Sequence, residues 1–124
     1  MALKVLAIDD SRTIRELLRV AIENVGFEYE CAVDGVDGVG KFSQVGPDVV
    51  ITDINMPNLD GFGVIDELRN GTAKTTVPII VLTTESSSDL KMRARDAGAT
   101  GWMVKPFDDD ALVSVLRRVT GYQA

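Results

Sequence analysis

The 124-residue chain has no histidine and one cysteine, Cys31. Without imidazole there is no Ser-His-Asp or Cys-His catalysis, no imidazole metal ligand and no side chain built to titrate near neutral pH. A lone cysteine excludes an intramolecular disulfide and a thiolate zinc cluster, which suits a reducing cytoplasm. Long hydrophobic runs are also missing. The opening stretch Leu3-Lys4-Val5-Leu6-Ala7-Ile8 stops at Asp9-Asp10, too short for a signal sequence or a membrane span. No fixed-period repeat, low-complexity tract or linker is visible, and the length fits a single domain over residues 1–124. Positive charge is in deficit, with 13 Lys plus Arg against 19 Asp plus Glu and a net charge of −6. That balance argues against nucleic acid or an anionic membrane as partner. What remains for chemistry is carboxylates, hydroxyls, lysine, backbone or a bound cation.

Short β-rich runs recur with helical patterns between them. Val5–Ile8, Tyr29–Val33, Asp48–Thr52, Val77–Thr83 and Gly101–Val104 read as five strands. Several are near-continuous Val/Ile/Leu, the pattern of strands buried on both faces of a parallel sheet. Ile14, Leu17, Leu18, Ala21 and Val25 form one stripe of an amphipathic helix, with Asp10 or Ser11 to cap its start and Gly26 placed to close it. Ala111, Leu112, Val115, Leu116 and Val119 repeat the stripe after the acidic start Asp108-Asp109-Asp110. Val64, Ile65 and Leu68 mark a third helix. Gly35, Gly38 and Gly40 predict a weak helix over Gly35–Val45, each glycine costing about 1 kcal/mol relative to alanine. Ser87–Ala97 has few apolar residues, so its helix should cover the core thinly and move most. This alternation predicts an α/β fold, a flavodoxin-like doubly wound (βα)5 domain with a five-stranded parallel sheet of order 2-1-3-4-5.

In such sheets ligands bind beyond the carboxyl ends of the strands. Asp9-Asp10 follow the first strand, Asp53 the third, Thr83-Thr84 the fourth and Lys105 the fifth. At about 5 Å and an effective dielectric of about 20, each carboxylate pair repels by roughly 3 kcal/mol. Lys105 compensates one charge at most. A hard divalent cation is the natural remedy, and Mg²⁺ takes one or two carboxylates, keeps waters and bridges to a phosphoryl oxygen. Phosphoryl chemistry fits such a site, with Asp53 on the central strand as the best-placed nucleophile. Each residue alone has an ordinary explanation. Asp9-Asp10 could end a strand and cap a helix, and Asp53 could open a turn. Thr83 could be a plain β-branched strand residue and Lys105 a solvated lysine. The conjunction at one end of one sheet is what favours a site.

The segments Asp9-Asp10-Ser11, Asp53-Ile54-Asn55-Met56-Pro57-Asn58-Leu59-Asp60-Gly61, Leu82-Thr83-Thr84-Glu85 and Gly98–Phe107 resemble the receiver domains of two-component response regulators, in order and across nearly the whole chain. The likeness is strongest to the single-domain chemotaxis type. It implies that Asp53 accepts a phosphoryl group from a phosphohistidine on a partner histidine kinase. It further implies Mg²⁺ held by Asp9, Asp10, Asp53 and the Asn55 backbone carbonyl. Lys105, Thr83 and the Thr84 N–H would bind the phosphoryl group, and Asn55 and Glu85 would tune its lifetime. The Lys105-Pro106 bond resembles the family's cis peptide.

Phosphorylation in the family draws the hydroxyl at the place of Thr83 inward and repositions an aromatic at the place of Trp102. This alters the face made by the fourth helix, fifth strand and fifth helix. Lys91, Arg95, Trp102 and Val115 are the partner-contact candidates on that face. The family usually has Tyr or Phe where this chain has Trp102, which leaves a mobile switch and an ordinary packed aromatic both open. The resemblance implies a cytoplasmic, monomeric protein that modifies only itself. A flagellar motor switch protein or a phosphatase could receive its output, and a phosphate sink or relay is the alternative. A flavodoxin-like electron carrier is disfavoured because Asp9-Asp10 would repel a flavin phosphate. An aspartyl-phosphate phosphatase would need a second Asp where Asn55 stands, and intact Asp53, Thr83 and Lys105 argue against a degenerate receiver.

Overall fold

The computed structural model describes residues 3–121, in which five strands alternate with five helices. They are β1 (Lys4–Ile8), α1 (Arg12–Glu23), β2 (Glu28–Ala32), α2 (Gly35–Val45), β3 (Val49–Thr52), α3 (Gly61–Asn70), β4 (Ile79–Thr83), α4 (Ser88–Ala97), β5 (Gly101–Val104) and α5 (Asp109–Thr120). Every strand pairing is parallel and the order is β2-β1-β3-β4-β5, the flavodoxin-like order expected from the alternation.

Alternate strand residues feed two separate core layers, because successive side chains leave a strand on opposite faces. Val5, Ala7, Val49, Ile51, Ile80 and Leu82 meet Leu18, Ala21 and Ile22 of α1 and Leu112 and Leu116 of α5. On the other face Leu6, Ile8, Val50, Ile79 and Val81 meet Val64, Ile65 and Leu68 of α3 and Ala94 of α4. That double burial is why β1, β3 and β4 read as continuous apolar runs rather than alternating ones.

Several boundaries differ from the sequence pattern for identifiable reasons. β4 starts at Ile79, since Pro78 has no N–H for a ladder, although its carbonyl still accepts from Val50 N at 2.9 Å. β3 starts at Val49 because the Asp48 carboxylate accepts the Lys4 N–H at 2.9 Å. β2 ends at Ala32, and the Val33 N–H donates instead to Asp37 Oδ2 at 3.0 Å. Ser11, not Asp10, caps α1, its hydroxyl accepting from Ile14 N at 3.3 Å. Gly26 does take a left-handed φ of 88°, but α1 has already closed at Asn24.

The glycines of α2 have a different meaning from the one propensity suggests. A Cβ on Gly35 would lie 2.1 Å from the Leu59 carbonyl oxygen, and one on Gly38 would lie 2.4 Å from Ile8 Cδ1. Their absence of side chain lets α2 close onto β1 and onto the loop after β3. Only Gly40 has open space around it. α4 buries Ala94 alone and its N-cap Ser87 makes no side-chain capping bond, whereas Arg69 donates to the Gly98 carbonyl at its C-terminal end.

Candidate functional site

The parallel order brings the ends of β1, β3, β4 and β5 to one rim of the sheet. Asp9 follows β1 and Asp53 follows β3, and they are 2% and 8% exposed. Lys105, one residue past β5, donates from Nζ to Asp9 Oδ2 and to Asp53 Oδ2, each at 2.8 Å. Asp10 is exposed beside them, and Asp9, Asp10 and Asp53 can each place a carboxylate oxygen within 4.8 Å of the others.

The two buried carboxylates are held at their other oxygens by backbone. The Ser11 N–H donates to Asp9 Oδ1 at 2.8 Å, and the Ile54 N–H donates to Asp53 Oδ1 at 2.6 Å. Burial raises the Asp9 carboxyl above its ordinary value, against the lowering effect of the Lys105 and Ser11 hydrogen bonds. Burial acts on Lys105 in the opposite sense, but its bonds to Asp53 and Asp9 outweigh it and hold the ammonium above its ordinary value.

Three carboxylates against one ammonium leave a formal charge of −2 in the rim. An all-oxygen donor set of that charge matches a hard divalent cation, and every carboxylate keeps lone pairs free for one. These residues fit Mg²⁺.

Thr83 ends β4, fully buried, and its Oγ1 accepts from Glu85 N at 3.3 Å. The Glu85 carbonyl in turn accepts from Trp102 Nε1 at 3.1 Å, while the Glu85 carboxylate accepts from Asn55 Nδ2 at 3.2 Å. Thr83, Glu85, Asn55 and Trp102 thus form one connected set, with Thr84 exposed beside it. Lys105-Pro106 is a cis peptide. Lys91, Arg95 and Trp102 line one open cavity of about 210 Å³ between α4 and β5. Val115 is not among its lining residues; it packs on the opposite core layer, beside α1 and α5.

Two polar residues that the sequence pattern did not single out also touch the rim. Buried Thr52 donates from Oγ1 to the Asp53 carbonyl at 2.9 Å, and Arg15 donates from Nη1 to the Asp9 carbonyl at 2.8 Å. Thr52 reads as a strand residue and Arg15 as a solvated helix arginine. The only signal for either was its closeness in sequence to an already suspect aspartate.

An α/β sheet of this order, with a carboxylate-rich pocket closed by a lysine at its strand ends, defines a flavodoxin-like domain with an acidic cation-type site. Residues 5–117 match the response regulator receiver domain, and the chain belongs to that family. It is similar in structure to the chemotaxis protein CheY4 of Vibrio cholerae, with a TM-score of 0.90 and 39% identity, over 96% of this chain and 99% of that one. Among sequence relatives, protein PilG of Pseudomonas aeruginosa is 32% identical over 93% of this chain and 85% of its own length. A regulator of Porphyridium aerugineum, ycf27, is 38% identical over 94% of this chain, which spans 49% of that protein's length. The chain is a CheY-like receiver domain of a two-component response regulator. Receiver domains bind Mg²⁺ at an acidic pocket and are phosphorylated by histidine kinases. Among the described residues no helix is long and apolar enough to cross a membrane.

Proposed function

We propose that residues 1–124 act as a phosphoryl-accepting switch of the single-domain chemotaxis type, with Asp53 as acceptor. The observation that carries this reading is the Lys105 ammonium shared between Asp9 and Asp53 at 2.8 Å. It orients the Asp53 carboxylate at the strand ends, beside Asp9.

An Asp53 carboxylate oxygen attacks the phosphorus of a phosphohistidine on a partner kinase. The O–P bond forms as the N–P bond breaks, and the imidazole nitrogen leaves with the electron pair. Asp9, Asp10, Asp53 and the Asn55 carbonyl would hold Mg²⁺, which would supply charge neutralisation for phosphoryl transfer. Lys105 exchanges its bond to Asp53 for one to the arriving phosphoryl oxygens. The Thr84 N–H adds a donor at the rim. Thr83 turns its hydroxyl toward the new acceptor oxygens and releases the Glu85 N–H, loosening the segment that also holds Trp102. The signal then reaches the cavity lined by Lys91, Arg95 and Trp102. Asn55 and Glu85, bonded across the mouth, set how readily water reaches the acyl phosphate. The only reaction assigned to the domain is its own phosphorylation and dephosphorylation.

The likeness to a chemotaxis protein supports an output partner such as a flagellar motor switch protein or a phosphatase, met by a cytoplasmic monomer. A phosphate sink or relay is the second reading, since the same acceptor chemistry serves it. Acetyl phosphate with Mg²⁺ should add one phosphoryl group by mass, and Asp53→Asn should abolish the gain. Beryllofluoride with Mg²⁺ should change the fluorescence of Trp102, the sole tryptophan. An equal response in Asp53→Ala would remove Asp53 as acceptor. Phosphotransfer to a second histidine-bearing protein, without binding of a motor component, would favour the relay.

A further inference from the structure

All four polar groups of Asp9 are engaged. Its N–H donates to the Ala32 carbonyl at 3.2 Å, and its carboxylate takes Ser11 N and Lys105 Nζ. Its carbonyl takes Arg15 Nη1 at 2.8 Å. Asp10, the next residue, is exposed and accepts no hydrogen bond among the described residues. Its aim therefore depends on the peptide that carries it.

That peptide is the unit joining Asp9 to Asp10. The carbonyl held by Arg15 lies in one plane with the Asp10 nitrogen and Cα, because the peptide bond does not rotate freely. Fixing the carbonyl fixes the plane, and with it the nitrogen and Cα from which the Asp10 side chain leaves. Arg15 is itself held in place. Its N–H donates to the Ser11 carbonyl at 3.0 Å, and its own carbonyl accepts from the Tyr29 hydroxyl of β2 at 2.8 Å. A chain of bonds thus runs from the sheet edge through α1 to the acidic loop.

We propose that Arg15 is a positioning residue for the divalent-cation site, orienting Asp10 through the Asp9 carbonyl. This rests on the reading of the acidic rim as a Mg²⁺ site. It also makes an unusual demand, since a cation is placed where it helps bind another cation. Charge alone predicts the reverse: an arginine beside the pocket repels Mg²⁺, and removing it should tighten binding. Partners that orient metal ligands typically contribute about 10–100-fold in metal affinity.

Calorimetric titration of MgCl2 into the full chain separates these effects. Arg15→Met should weaken Mg²⁺ binding by about tenfold or more. Arg15→Gln keeps a polar, helix-compatible side chain and serves if the methionine variant does not fold; it should weaken binding in the same direction. Arg12→Gln removes an equal charge from an exposed position three residues earlier, and should leave affinity unchanged or slightly higher. Unchanged or tighter binding in both Arg15 variants overturns the proposal. So does a lower melting temperature without loss of Mg²⁺ affinity, which marks Arg15 as merely structural. If the wild-type chain itself binds no Mg²⁺, the reading of the rim fails, and the role of Arg15 falls with it.

Discussion

Asp10 gains little from the fold without a cation, because it faces two other carboxylates and accepts no hydrogen bond among the described residues. Replacing it should stabilise the metal-free protein, by on the order of 1 kcal/mol once solvent screening at this exposed position is considered. Asp10→Ala should melt higher than wild type in chelator and show a smaller rise on adding Mg²⁺. A lower melting temperature in chelator would refute the repulsion. Asp34 is the opposite case. The Asp37 N–H and then the Asn58 amide hold its carboxyl below the ordinary carboxylate value. A folded value below the unfolded one contributes stability above the unfolded pKa, lost as pH falls through the folded pKa. Asp34→Ala should therefore melt lower than wild type at neutral pH. The gap should narrow as acid takes both below the normal carboxylate range.

At the scale of elements, α2 tests what its glycines are for. Gly40→Ala should stabilise the protein by about 0.5–1 kcal/mol, because the position is helical and open. Gly38→Ala should destabilise by about 1–3 kcal/mol, because its Cβ would press on Ile8. Denaturant melts of the two variants should move in opposite directions. The sequence shows the three glycines equally, and propensity alone treats them as equal weaknesses. Which of them face a neighbour depends on the packing of α2 against β1 and the loop after β3, and no local pattern carries that. The apolar stripes of α1 and α5 were legible because burial on one side leaves a periodic trace. The strand-end aspartates were legible because the topology rule converts chain position into place. Arg15 and Thr52 were not, since both act through main-chain carbonyls, which every residue has. Val115 lies on α5, partly buried against the core layer that α5 shares with α1.

For the whole molecule, a ligand that binds only the folded state raises its stability by mass action. Mg²⁺ at about one hundred times its dissociation constant should contribute about 2.7 kcal/mol, and a chelator should reverse the resulting rise in melting temperature. Asp53→Asn, which removes one of the three charges, should shrink that rise. Calorimetric scans at increasing MgCl2 check both. A rise that Asp53→Asn leaves intact would place the cation elsewhere.

Lys105 reaches Asp9 across 96 positions of the chain and Asp53 across 52. The contact closes only after β5 has docked on the sheet edge beside β4. Non-local contacts of this kind are made late, after the loop entropy has been overcome. A nascent or clipped chain lacking its last strand still carries the acidic triad but not its counter-charge. If the rim accepts a phosphoryl group as proposed, a chain without β5 would lack the lysine that the site draws on.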